Sequence, residues 1–316
     1  MSDVWVAVLS GGLSHEREVS LRSGRRLSAA LRGVGMTVDE WDADAHLVAR
    51  LRDAHRPDAV IVALHGGEGE DGAMQNVLEM LHVPYVGTDA RACRWAWDKP
   101  SAKAELARAG VATPDWVVLP HSTFRELGAQ AVLDAMVEQL GLPLMLKPDQ
   151  GGSALGAQVV REAAELPAAM VGCLAYGETV LAERYVEGVE VAVAVIDGPD
   201  GPEALPAVEI VPERGVYDYT ARYTAGLTTF HAPARLDPRT ATAVGEVAVA
   251  AHRLLGLRDV SRTDAIVDRN GDVQFLEVNV SPGLTETSLL PMAVSAAGRS
   301  LGDVFSGLVD RALARG

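Results

Sequence analysis

Val260-Ser-Arg-Thr-Asp-Ala-Ile-Val267 and Val273-Gln-Phe-Leu-Glu-Val-Asn-Val280, separated by Asp268-Arg-Asn-Gly-Asp272, decide how this chain folds. Both runs read as strands. Asn270-Gly271 is the pair that a two-residue type I′ turn prefers, because both central positions need positive φ. That turn sets Asp264 opposite Glu277 and Arg262 opposite Asn279. All four lie on one face, since side chains alternate along a strand. Directly opposed carboxylates repel, and a cation between them removes the objection. The oxygens of Asp264, Glu277 and Asn279 suit Mg2+, which keeps water and phosphate oxygens in its other positions. Ser281-Pro282-Gly283 follows at once, and a glycine there lets a ligand approach the backbone. The hairpin reads as a metal–phosphate platform, against the plainer reading of an antiparallel pair with one solvated polar face.

The whole chain has 316 residues, enough for two or three domains with buried cores. Its 48% hydrophobic and 22% charged residues fit a soluble globular protein. Lys+Arg 28 against Asp+Glu 43 leave a net charge of −15, which argues against a nucleic-acid or anionic-membrane surface. An anionic ligand must therefore find its cations gathered locally. No stretch approaches the roughly 18 apolar residues of a membrane helix. The N-terminus enters a strand-like run at residues 5–9 without a signal-peptide pattern. Cys93 and Cys173 make no metal or redox spacing, so buried thiols in a reducing cytosol are expected.

The first hundred residues alternate strand signals (5–9, 37–41, 59–64, 84–87) with helical ones (20–31, 74–81). That βαβ rhythm predicts an open parallel sheet with ligands beyond the carboxyl ends of its strands. The glycine loops after Leu9 and Leu64 fall at such ends. From Asp98-Lys99-Pro100 the texture changes. Helices are expected over 101–109, 124–140, 240–255 and 301–314, and strands over 116–119, 142–147, 180–185, 189–196 and 205–211. Residues 212–229 are polar and tyrosine-rich, without clear periodicity, as in a lid or a disordered segment.

Several smaller features could carry chemistry. Lys147 ends a strand and leads into Pro148-Asp-Gln-Gly-Gly-Ser-Ala-Leu-Gly156, whose backbone N–H groups could wrap phosphate oxygens while the lysine supplies charge. The order is not that of a P-loop, and a flexible surface turn is the plain alternative. Lys99 taken alone fits surface charge, His65 fits a ligand contact or a loop residue, and Glu16 fits a helix-dipole partner.

Taken together, these pieces resemble the D-alanine–D-alanine ligases of the ATP-grasp superfamily. The resemblance rests on Gly11-Gly-Leu-Ser-His-Glu-Arg-Glu-Val-Ser20, His65-Gly-Gly-Glu-Gly-Glu-Asp-Gly72, Asp98-Lys99 and the run from Lys147-Pro148 to Gly156. It continues in Glu183-Arg-Tyr-Val-Glu-Gly-Val-Glu190, Tyr217-Asp-Tyr-Thr-Ala-Arg-Tyr223, Arg262-Thr-Asp264 and Glu277-Val-Asn-Val-Ser-Pro-Gly-Leu-Thr-Glu-Thr-Ser-Leu289. These stand in family order and span nearly the whole chain.

The resemblance implies an α/β and α+β fold of three domains: an N-terminal parallel α/β sheet (1–97) and two α+β domains (98–184 and 185–316) that sandwich ATP, with a lid at 212–229. It implies that Lys99, Lys147 and Arg222 meet the phosphates, with Ser153 in the covering loop. Glu183, Arg184, Tyr185 and Val186 would form the adenine-side hinge, and Glu190 would hold the ribose. Asp264, Glu277 and Asn279 would bind two Mg2+ ions, for which Mn2+ could substitute. One D-alanine would sit against Glu16, Val19, His65 and Gly283, and a second against Tyr223, Arg262, Ser288 and Leu289. Glu16, Ser153 and Tyr223 would form a hydrogen-bonded trio, and Arg262 would stabilise the oxyanion. The implied setting is a cytoplasmic homodimer that supplies peptidoglycan precursors, with ATP and two D-alanines as substrates and no nucleic-acid or membrane partner.

Some positions depart from the family pattern. Arg222 stands where lysine is commoner, which keeps the charge and changes the geometry. Ala154 replaces a common serine, and Gln150-Gly151 a more charged pair. Two other readings compete: a ligase with D-serine, D-lactate or another amino acid as second substrate, and a catalytically silent nucleotide-binding protein. An NAD-dependent dehydrogenase is discounted because no Gly-x-Gly-x-x-Gly follows the first strand.

Overall fold

The computed structural model describes residues 4–213, 215–224 and 226–315, with Tyr223 by its backbone alone. Three sheets organise the chain. The first takes β1 (Trp5–Ser10), β2 (Thr37–Asp42), β3 (Ala59–Val62) and β4 (Tyr85–Val86) in the order β2-β1-β3-β4, all parallel. Helix Arg17–Gly33 crosses from β1 to β2, as a parallel pair requires. The second sheet is antiparallel, with β5 (Trp116–Pro120), β6 (Leu144–Pro148), β7 (Gln158–Val160) and β8 (Thr179–Arg184) ordered β5-β8-β6-β7. The third comprises β9 (Gly188–Gly198), β10 (Gly201–Ala204), β11 (Val208–Pro212), β12 (Thr228–His231), β13 (Val260–Asp268) and β14 (Val273–Asn279). Its order is β12-β11-β9-β13-β14, with β10 beside β9.

The cores are not distributed one per sheet. Val6, Val8 and Ile61 of the parallel sheet share a cluster with Ala192 and Ile210 of the third sheet and with Phe305 and Leu308 of the last helix, Leu301–Arg315. Burial of that apolar surface fuses the first and third sheets. The contact is bolted by Asp259, fully buried, whose two carboxylate oxygens each lie 2.7 Å from Arg315 and which also accepts the Gly87 N–H. The second sheet keeps a core of its own, in which Leu144, Leu146 and Val180 pack under helices Ala129–Leu140 and Leu166–Leu174.

The hairpin differs from its sequence reading in two ways that cancel. The turn is a three-residue loop, not a type I′ pair. Asp268 N donates to Asp272 O (2.9 Å), Gly271 N donates to Asp268 O (3.0 Å), and only Gly271 takes positive φ (85°). That choice shifts the register by one, pairing Val267 with Val273 and Ala265 with Phe275. A β-bulge at Leu276 then restores it, so Asp264 faces Glu277 and Arg262 faces Asn279 as expected. The bulge lets consecutive residues Leu276 and Glu277 both line the same cleft, which a regular strand forbids.

Other departures are local. The helix expected over 124–140 breaks at Gly128 (φ 89°) into His121–Leu127 and Ala129–Leu140. The expected lid holds a short helix, Tyr219–Tyr223, capped by Asp218, and ends in β12. Residues 214 and 225 of that lid lie outside the described residues. Helix Lys99–Arg108 starts where Asp98 caps it, with Pro100 in its first turn. It packs on β14 and helix Pro238–Leu254.

Candidate active site

Asp264 and Glu277 stand side by side on β13 and β14, and the protein already compensates both charges. Arg262 forks onto Asp264, with Nε–Oδ1 and Nη2–Oδ2 both 2.7 Å. Lys99 Nζ lies 3.7 Å from Glu277 Oε2. The opposition of two carboxylates therefore does not by itself demand a metal, which corrects the argument made from the hairpin pattern. Burial raises the pKa of Glu277, but Lys99, Lys147, Arg222 and Arg262 outweigh it and bring the carboxyl down to about 2.

The donor set still fits a hard cation. It contains oxygens only, Glu277 is held ionised, and Asn279 Oδ1 accepts a single N–H, from Ser281 (2.7 Å). No group of three His, Cys, Asp or Glu among the described residues could enclose a metal. An ion held here must draw further oxygens from elsewhere, which is the habit of Mg2+ with phosphates.

On one side of this pair a cleft of about 1000 Å3 opens between the second and third sheets. Met145, Leu155, Ile266 and Leu276 give it apolar walls, and Arg184, Tyr185, Val186 and Glu190 lie along it. Lys147, at the end of β6, does not point to open solvent: its Nζ lies 2.7 Å from Glu183 Oε2. Lys103 lies 2.7 Å from Glu183 Oε1. Burial opposes ionisation of Glu183, but the two ammonium groups overcome it and hold its pKa below the ordinary carboxylate value. Glu190 is pushed up to about 7 by burial, against the pull of Arg222. Arg184 reaches Asp115 at the surface, 3.2 Å away. Lys99 Nζ donates to Gly151 O (2.7 Å), tying the helix that carries it to the glycine loop.

On the other side lies a second cavity of about 1070 Å3, more polar, which brings together Glu16, Val19, His65, Arg262, Gly283, Ser288 and Leu289. His65 is buried and its pKa lowered, chiefly by that burial. Its Nδ1 faces Ser281 O (3.0 Å), which can only accept, so Nδ1 carries the proton and Nε2 accepts from Ser23 Oγ (2.8 Å). Ser153 donates to Glu16, joining the glycine loop to the N-terminal loop. The side chain of Tyr223, the third member of the expected trio, lies outside the described residues. A Cβ on Gly283 would stand 2.7 Å from Ser288 Oγ, so a larger residue there would have to displace that hydroxyl. The two cavities share Lys99, Gly151, Gly152, Tyr217, Arg222 and Glu277.

Three residues that the sequence reading gave no role stand in or behind these walls. Lys103 lies one helical turn beyond Lys99, a spacing that already predicts a shared face. Glu70 sits inside the quoted His65–Gly72 run, accepts the Gly66 N–H (2.9 Å), and is raised to about 8 by burial and then by Glu16. Tyr217 underlies Arg222, whose guanidinium carbon is 4.4 Å from the ring centroid, and meets Phe230 edge-on at 6.2 Å.

A cleft between two antiparallel sheets, with lysines at one end and a carboxylate pair on the floor, is the arrangement of an ATP-grasp enzyme. Models of the D-ala D-ala ligase N-terminus and C-terminus match residues 37–88 and 106–310. The chain belongs to the D-alanine–D-alanine ligase family. It is 43% identical over 307 residues to the D-alanine–D-alanine ligase of Anaeromyxobacter sp. (strain K), covering 97% of this chain and 96% of that protein. It is 41% identical over 308 residues to the one from Moorella thermoacetica, covering 98% and 99%. Among solved structures, a D-Ala:D-Ser ligase from Enterococcus faecalis superposes with a TM-score of 0.85 at 26% identity, covering 98% of this chain and 100% of that one. The Bacillus anthracis D-alanine–D-alanine ligase complexed with ATP gives 0.80 at 26% identity, covering 98% and 97%.

Proposed function

We propose that this enzyme joins two D-alanines to D-alanyl-D-alanine at the expense of ATP, through an acyl-phosphate intermediate, in the synthesis of peptidoglycan precursors. The observation that carries the reading is the shared wall. Lys99, Arg222 and Glu277 line both cavities, so a γ-phosphate in one would lie beside a carboxylate in the other.

In the first step a carboxylate oxygen of the first D-alanine attacks the γ-phosphorus and ADP leaves. Both reactants are anionic, so Lys99, Lys147 and Arg222 offset their repulsion. Asp264, Glu277 and Asn279 would hold two Mg2+ ions, with Mn2+ an acceptable substitute, which when bound screen phosphate charge. In the second step the amine nitrogen of the other D-alanine attacks the acyl carbon, and inorganic phosphate departs as the nitrogen loses its proton. Arg262 steadies the oxyanion, an effect worth about 3–4 kcal/mol for one well-placed donor. Glu16 faces the first ammonium beside Val19, neutral His65 and Gly283, while Tyr223, Ser288 and Leu289 receive the second substrate. The adenine lies against Glu183–Val186 and the ribose against Glu190. The lid over 212–229 excludes water, which would otherwise hydrolyse the acyl phosphate.

We infer a cytoplasmic homodimer from the family alone, and the net charge of −15 argues against a nucleic-acid or anionic-membrane partner. No helix among the described residues is long and apolar enough to cross a membrane. The likeness to a D-Ala:D-Ser ligase keeps a second reading in play, in which D-serine or D-lactate is the second substrate. One assay tests both: phosphate release from ATP and Mg2+ with D-alanine alone, then with D-serine or D-lactate added, followed by product analysis. D-alanyl-D-alanine as the main product supports the proposal. A mixed product favours the second reading, and no phosphate release with D-alanine, either alone or with D-serine or D-lactate added, removes both.

A further inference from the structure

Behind the nucleotide cleft lies a buried charge cluster, one member of which, Lys103, the mechanism above does not use. Lys103 is fully buried. Its ammonium meets Glu183 Oε1 at 2.7 Å, donates to Thr113 Oγ1, and lies 5.0 Å from the centre of the Trp116 ring. Thr113 in turn donates to Phe275 O (2.8 Å), which anchors the group to β14. On its far side Glu183 meets Lys147 Nζ, also at 2.7 Å. One buried carboxylate is thus shared by two ammonium groups, and the cluster carries one surplus positive charge.

The two lysines are not equivalent. Lys103 is enclosed and lines neither cavity, whereas Lys147 lines the nucleotide cleft. We propose that Lys103 is a positioning residue that frees Lys147 to turn from Glu183 to a phosphate, by keeping Glu183 paired when Lys147 leaves. The inference rests on the reading that Lys147 meets the phosphates of ATP.

The physical reason is the cost of a lone buried charge. With Lys147 as its only partner, Glu183 would become an uncompensated buried carboxylate whenever Lys147 engaged a phosphate, and nucleotide binding would bear that penalty. With Lys103 in place, the pair left behind is neutral. Burial lowers the Lys103 pKa to about 8, Glu183 opposes the shift, and Lys147 adds to it. Departure of Lys147 removes that repulsion and strengthens the Lys103–Glu183 pair.

The test compares ATP with adenosine, which has no phosphate to draw Lys147 away. Dissociation constants of both are measured by calorimetry, with Mg2+, on the unmodified enzyme, Lys103→Met, Glu183→Gln and the Lys103→Met/Glu183→Gln double variant. For Lys103→Met the expected result is ATP binding at least tenfold weaker and adenosine binding within about twofold of the unmodified enzyme. In the double variant no carboxylate remains to be stranded, so its ATP affinity should match that of Glu183→Gln alone. This comparison also stands if Lys103→Met does not fold. Equal weakening of ATP and adenosine, unchanged ATP binding in Lys103→Met, or a double variant clearly weaker than Glu183→Gln would each overturn the inference. Unmodified enzyme that binds no ATP would overturn the nucleotide reading itself, and this inference with it.

Discussion

Arg262 and Asp264, two residues apart on one strand, form a two-pronged ion pair in which the guanidinium meets both carboxylate oxygens at 2.7 Å. Both side chains are buried, so neither charge is tolerated without the other. Lysine cannot reproduce the fork. Arg262→Lys should therefore lower kcat by about 100-fold, with a smaller change in the KM for ATP. Steady-state kinetics with D-alanine and ATP varied separately decide it, and a kcat within twofold of wild type would remove Arg262 from the reaction.

Glu277 borders both cavities and is kept ionised by four cations. Glu277→Gln keeps the shape and loses the charge. We expect kcat to drop by roughly 100- to 1000-fold, the Mg2+ concentration for half-maximal rate to rise, and the circular dichroism spectrum to stay unchanged. A variant with an unaltered Mg2+ requirement would show that Glu277 is no metal ligand.

Glu70 makes stability depend on pH in a way that can be isolated. Its folded pKa of about 8 lies above its ordinary 4.5, so between these values the folded state holds a proton that the unfolded chain releases. Stability from this group is present below about pH 4.5 and declines as pH rises towards 8. Glu70→Gln removes the decline. The variant should be more stable than wild type at pH 8, by on the order of 3 kcal/mol, and nearly equal to it at pH 5. Denaturant unfolding at the two pH values reads the difference; parallel curves would count against it.

Arg315 is the only counter-charge within ion-pair distance of Asp259 among the described residues. Arg315→Ala strands that buried carboxylate and should cost roughly 3 kcal/mol. Adding Asp259→Asn should recover part of the loss. Thermal unfolding of the single and double variants tests the coupling, and strictly additive effects would deny it.

Much of this site was legible in the sequence because its chemistry is dense in short runs. Glu16, His65, Arg262 and Ser288 are spread over 272 positions, yet each sits in a short run that carries the family resemblance. What escaped was geometry set by packing. Asn270-Gly271 favours a two-residue turn, but the three-residue loop and the bulge at Leu276 together place Phe275 in the core and Leu276 in the cleft. No local rule distinguishes those solutions. Lys103 was readable from its spacing to Lys99, whereas its partner Glu183 lies on strand β8, 80 positions further along the chain. Residues 124–140 look periodic throughout, and the break at Gly128 follows from a φ that the residue permits without demanding.

The fused core of the first and third sheets, clamped at Asp259 and Arg315, makes those two sheets a single anvil. The second sheet, with its private core, stands across the cleft from it as a jaw. Most walls of the second, more polar cavity belong to the anvil, and the glycine loop is the edge that the jaw contributes. Movement of the jaw as a unit would therefore open the cleft between the sheets along its length and leave most walls of the second cavity in place.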